Sequence, residues 1–182
     1  MLFLILAALL LSSCGRGEEA NVNAYKINRG AHRAGIDVIG KAFLPSKSDG
    51  RLIPYVKRYE RDVQHLVRNV PVTFSTDIGA AGYCQYNIDG TRQVVIDEDS
   101  WYHPMGYQAS HEHTEAFREI VLFHELTHCV RNFSGHIKTM SWYDVDGESV
   151  YGPDSIMNPS ADIGPRVYIK YRQEFINRLK TL

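Results

Sequence analysis

The sequence predicts an α+β fold, on three observations. Helical periodicity marks three segments, an Asp-Gly pair sits between two β-prone runs, and strands and helices do not alternate as βαβ units. The chain has 182 residues, 44% apolar and 23% charged. That is ordinary globular composition with enough length for one domain and a real core, and it excludes long disorder, collagen-like repeats and multi-pass membrane architecture. Lys and Arg number 20 against 21 Asp and Glu, so there is no basic footprint for nucleic acid, and none is expected as a partner. Eight His is high for this length and is the first hint of metal chemistry.

Ile53, Val56, Tyr59, Val63, Leu66, Val67 and Val70 recur at helical spacing with charged residues between them, which predicts an amphipathic helix from Leu52 to Asn69. Pro71 stops it, and Val72 to Thr76 reads as a short strand. Gly79 to Gly82 is a loop. Tyr83 to Ile88 and Thr91 to Ile96 flank Asp89-Gly90, a hairpin signal because both turn residues tolerate positive φ. Trp101 to Ser110 reads as loop. His111 to Asn132 is the next helix, with Glu112, Glu115 and Glu119 in its early turns suiting the positive end of the dipole. Asn132 to Asp154 reads as irregular. Arg166 to Leu182 closes the chain as a core-packing helix with Tyr168, Tyr171, Phe175 and Leu179 on one stripe.

The N-terminus stands apart from this domain. Leu2 to Leu11 is an apolar run too short for a bilayer span, which needs about 20 residues, and it reads as a signal-peptide core. Leu11-Ser12-Ser13-Cys14-Gly15 follows and resembles the lipobox of bacterial lipoproteins. That resemblance implies a signal peptide over 1–13, a lipid-modified Cys14 as first mature residue, a tether over 14–23 and a folded domain over 24–182. It also implies a lipid-anchored protein of the bacterial cell envelope, in the outer membrane where there is one. An exported chain meets an oxidising compartment, so Cys84 and Cys129 are candidates for a disulfide; a free, buried Cys129 is the alternative.

The chemistry is concentrated in His124-Glu125-Leu126-Thr127-His128. On a helix, positions i and i+4 share a face, so both imidazoles can reach one ion, while Glu125 is rotated by about 100° and can act beside the metal without binding it. Zinc lowers the pKa of bound water toward about 7, and a carboxylate can take its proton and pass it to a leaving amine. Downstream stand Gly135-His136, where glycine supplies chain freedom for a return to the metal, and Ser155-Ile156-Met157-Asn158-Pro159.

With these two features the chain resembles the metzincin clan of zinc metallopeptidases, which pairs an extended H-E-x-x-H motif with a Met-containing turn beneath the metal. The segment around Phe123 to Val130 also resembles a group of bacterial lipoprotein metallopeptidases. The resemblance spans Phe123 to Pro159 and departs from the clan in the spacing to His136, which is two residues longer. It implies a zincin-like single domain: a small mixed sheet, a catalytic helix and a C-terminal helix. It further implies one catalytic Zn2+ on His124, His128 and His136, Glu125 as general base, and Met157 as an apolar floor that does not ligate. Peptide or protein would be the substrate, added as an extra strand to the sheet edge, with Thr91 to Ile96 or its partner strand as that edge. For the third ligand Glu148 is the rival to His136, as in gluzincins, and a two-His site is a further alternative.

The competing function is a catalytically silent zincin-fold lipoprotein acting as a binding module, which an intact Glu125 disfavours. A structural zinc site would fill all four positions, usually with Cys. The protein is expected to be a monomer. His111 and His113, two apart, do not share a helix face. His32, His65 and His103 stand alone and read as surface or packing residues. Asp144, Asp146 and Glu148 around Gly147 faintly suggest calcium but lack the full loop pattern and read as a polar loop at a cleft rim.

Overall fold

In the computed structural model, residues 47–76, 78–104, 110–159 and 163–182 are described. The signal peptide, Cys14, the tether and His32 lie outside them. The architecture is α+β. Helix α1, Ile53–Val63, carries Pro54 in its first turn, where a missing N–H costs nothing. It ends six residues earlier than its apolar pattern suggests. Gln64 takes the left-handed conformation at φ 59°, and the Glu60 carboxylate accepts the Val67 N–H at 2.9 Å. Val67 and Val70 are nevertheless buried, so their periodicity reports the core rather than a helix.

Strands β1 (Val72–Ser75), β2 (Gly82–Tyr86) and β3 (Arg92–Asp97) form one mixed sheet in the order β1-β3-β2. β3 is central: it pairs in parallel with β1, Val72 opposite Val94, and antiparallel with β2, Gly82 opposite Ile96. The hairpin is present, but its loop is longer than a two-residue turn. Gly90 alone takes positive φ, its N–H donates to the Asn87 carbonyl at 3.0 Å, and the Asp89 carboxylate accepts from Thr91. A short helix, α2 (Glu98–Tyr102), occupies the start of the expected loop, capped by Asp97 accepting the Ser100 N–H.

Helix α3, His111–Arg131, starts at Ser110, whose hydroxyl accepts the His113 N–H. Every residue from Glu119 to Cys129 is buried, so this stretch is enclosed on all sides and its weak amphipathicity is what a central helix shows. Asn132, left-handed at φ 59°, ends it.

The segment after Asn132 corrects the expectation of irregular chain. β4 (Met140–Val145) and β5 (Glu148–Pro153) make an antiparallel hairpin around Asp146-Gly147, both at positive φ, as a tight two-residue turn demands. Its acidic residues are ion-paired on the surface: Asp144 with Lys170 at 3.0 Å, Asp146 and Glu148 with Arg166 at 3.2 and 3.1 Å. They are not a calcium loop.

Helix α4, Pro165–Thr181, buries Tyr168, Phe175, Ile176 and Leu179 against α1 and α3. The three helices are also tied by a buried carboxylate. Glu119 accepts from Tyr168 Oη at 2.6 Å, from Arg58 at 2.8 Å and from the Arg172 guanidinium. Among the described residues no helix is long and apolar enough to cross a membrane.

Candidate metal centre

α3 presents His124 and His128 one turn apart, both buried. After Asn132 reverses the chain, His136 returns to the same point, and the ligand atoms of the three histidines lie within 4.8 Å of one another. The Nε2 of His128 is 3.0 Å from that of His124 and 3.3 Å from that of His136. Three elements therefore contribute: the helix, the return loop, and the turn that orients the rings.

That orientation comes from carbonyl groups. The His124 Nδ1 is 2.7 Å from the Ile156 carbonyl oxygen, and the His128 Nδ1 is 2.5 Å from that of Phe133. A carbonyl only accepts, so in both rings Nδ1 carries the hydrogen and donates it. Burial, with the neighbouring His128, pushes His124 down to about 3; burial, with His136 beside it, pushes His128 down to about 4. Both rings are thus neutral near pH 7, each with its Nε2 lone pair free. Two such lone pairs 3.0 Å apart repel unless a cation lies between them. The donor set therefore fits a metal ion, and the three histidines can form its site.

Ser155 to Pro159 packs beside the histidine cluster through its main chain. Met157 is fully buried, its N–H bound by the Ser155 hydroxyl at 3.1 Å. Its carbonyl accepts the Ile137 N–H at 2.7 Å, beside His136, while the preceding Ile156 carbonyl holds His124. The turn thus holds the His124 ring and the backbone next to His136 through main-chain oxygens. Sequence pattern cannot show this, because a backbone acceptor has no residue-type signature.

Glu125 is buried on α3 next to His124, with its Cγ against the backbone of Gly82 at the start of β2. Cys84 and Cys129 form a disulfide, which fastens β2 to α3 one residue past His128. Tyr86 continues the seam, its hydroxyl donating to the His128 carbonyl at 2.8 Å, and Arg92 donates to the Cys129 carbonyl at 2.7 Å. Neither Gly82 nor Tyr86 stood out in the sequence.

Other candidates fall elsewhere. Glu148 is on the surface with Arg166, outside the histidine cluster. His111 and His113 are on the first turn of α3, the one exposed and the other half-buried, His103 is exposed and His65 half-buried; none joins the cluster. Searches of protein-family models, curated proteins and solved structures return no match for this chain.

Proposed function

We propose that the protein is a membrane-anchored, zinc-dependent metalloendopeptidase with a zincin-like fold of metzincin type. The observation that carries the reading is the convergence of three imidazoles, two with Nδ1 fixed on carbonyl groups, around a helix that also bears Glu125. Tetrahedral zinc with Zn–N bonds near 2.05 Å places its nitrogens about 3.3 Å apart, and the two Nε2 separations here, 3.0 and 3.3 Å, support that metal. Three protein ligands leave a position for water or substrate, as catalytic zinc sites do.

When bound, zinc supplies a Lewis acid that polarises the scissile carbonyl and eases loss of a proton from water. His124, His128 and His136 would hold it. The Glu125 carboxylate accepts the proton of the attacking water and delivers it to the leaving amine nitrogen. Since β3 is paired on both sides, Thr91 to Ile96 is not available to substrate. β2 has no second strand partner among the described residues, so an extended peptide adds along Gly82–Tyr86. The lipobox-like Cys14 supplies the membrane anchor.

The test is metal analysis of the purified protein together with cleavage of a quenched peptide library before and after chelation. Stoichiometric zinc and chelator-sensitive cleavage, abolished in Glu125→Ala, are expected. Zinc without cleavage of any peptide would make the protein a binding module instead.

A further inference from the structure

Gly82 and its near neighbour Gly79 are glycines for different reasons. Gly79 has φ +70° and nothing within 4 Å of where a Cβ would stand, so backbone conformation accounts for it. Gly82 lies in the strand without positive φ, in a place where glycine weakens a sheet. A Cβ there would stand 2.9 Å from Ile96 Cδ1, 3.1 Å from Glu125 Cγ and 3.2 Å from the Val95 carbonyl oxygen. Space accounts for this glycine, and part of that space belongs to Glu125.

The seam between β2 and α3 fixes the contact. Residues 82, 84 and 86 share one side of the strand, in steps of about 6.7 Å, and residues 125 and 129 are one helical turn apart, about 6 Å. The two repeats nearly match. Gly82 therefore meets Glu125 where Cys84 is bonded to Cys129, and Tyr86 bonds the His128 carbonyl beyond. With the disulfide holding the strand at a set height on the helix, β2 cannot back away from an added methyl group without distorting the seam. Ile96 Cδ1 is the end of a flexible side chain and can swing aside; the Val95 carbonyl is backbone and presses the added methyl group the other way, so Glu125 has to give at Cγ, next to the carboxylate.

From this packing we infer that Gly82 is a positioning residue: its lack of a side chain sets where the Glu125 carboxylate stands relative to the three histidines. The inference deepens the peptidase reading and rests on Glu125 as its base. The His124 and His128 rings are held by the Ile156 and Phe133 carbonyls and not by β2, so the effect is expected on turnover more than on metal binding.

The test compares the wild-type chain, Gly82→Ala, Ile96→Val and the double variant, with zinc as the metal and a quenched peptide as substrate. Ile96→Val removes Cδ1, and with it the nearest clash, but leaves the Glu125 and Val95 carbonyl contacts. Gly82→Ala is expected to keep one zinc and to lose about tenfold or more in kcat with KM changed less than about threefold. The double variant should regain part of the melting temperature lost in Gly82→Ala, the Val95 carbonyl contact remaining, yet keep the low kcat. Recovery of kcat together with the melting temperature would show a purely structural glycine and overturn the inference, as would wild-type kcat in Gly82→Ala. Should the wild type cleave no peptide, the peptidase reading fails, and crystal structures of wild type and double variant decide the packing. A displaced Glu125 carboxylate upholds it, and an unmoved one rejects it.

Discussion

The Nδ1–H of His124 donates to the carbonyl of Ile156, so the residue that orients this ring is the neighbour of Met157 and acts through its main chain. Met157→Leu conserves volume and leaves that carbonyl in place. It should keep zinc near the wild-type level and cost about 1 kcal/mol of stability. Zinc content and thermal unfolding check this. Complete loss of zinc would mean that the thioether has a direct part in the site.

Acid should weaken the metal-free protein through its histidines. His124 at about 3 and His128 at about 4 lie below the ordinary 6.5, so the native state binds fewer protons than the unfolded one between those values. Stability from these groups is full above pH 6.5 and is lost as pH falls through about 4 for His128 and about 3 for His124. The melting temperature of the chelated protein should therefore drop between pH 7 and 5, before most carboxylates titrate. The drop should be smaller in His128→Gln. An equal drop in both proteins would remove His128 from the effect.

Much of the site was legible because its chemistry is written in residue types at fixed spacing: His124, Glu125 and His128 on one helix, then His136. The supports were not. Ile156 and Phe133 act through carbonyls, and Gly82 through space that only the folded chain defines. For the fold, the apolar pattern through Val67 and Val70 correctly marked burial but could not distinguish a helix from chain packed past a left-handed Gln64. The β4–β5 hairpin carried its signal in Asp146-Gly147, with Tyr143 and Val145 alternating against exposed residues. The surrounding acids masked it as a polar loop.

The disulfide should stabilise the domain and the seam beside the three histidines. Cys84 and Cys129 are 45 residues apart, and closing a loop of that length is worth up to about 4 kcal/mol in the chain-entropy model. Cys84→Ser with Cys129→Ala should lower the melting temperature by several degrees and match the reduced wild type. A wild-type melting curve unaltered by reductant would count against the bond.

Glu119 is the buried charge on which three helices converge, so removing it should hurt the fold rather than the chemistry. Glu119→Ala leaves the buried Tyr168 hydroxyl without its acceptor and Arg172 with Asp62 alone, and should cost about 2 kcal/mol, the size of an unsatisfied buried polar group. Denaturant unfolding measures it. Zinc affinity of the folded fraction should be near that of the wild type, because Glu119 bonds none of the three histidines.

The choice of third ligand carries the heaviest consequence, because it separates two clans with different architectures. His136 brings its Nε2 to 3.3 Å from that of His128, at the separation a shared tetrahedral ion imposes. Its eight-residue spacing from His128 is accommodated by the last turn of α3, the reversal at Asn132 and the tie between Ile137 and Met157. Glu148, the rival, begins β5 at the turn end of the hairpin and is engaged with Arg166. It is not on a helix, where a gluzincin would need it. His136→Ala should therefore weaken zinc binding by about two orders of magnitude or more, since two ligands hold zinc poorly in an open site. Glu148→Ala removes only an exposed ion pair and should change zinc affinity little. Competition with a chromogenic chelator measures both. The reverse pattern would place the protein among the gluzincins and reject His136 as a ligand.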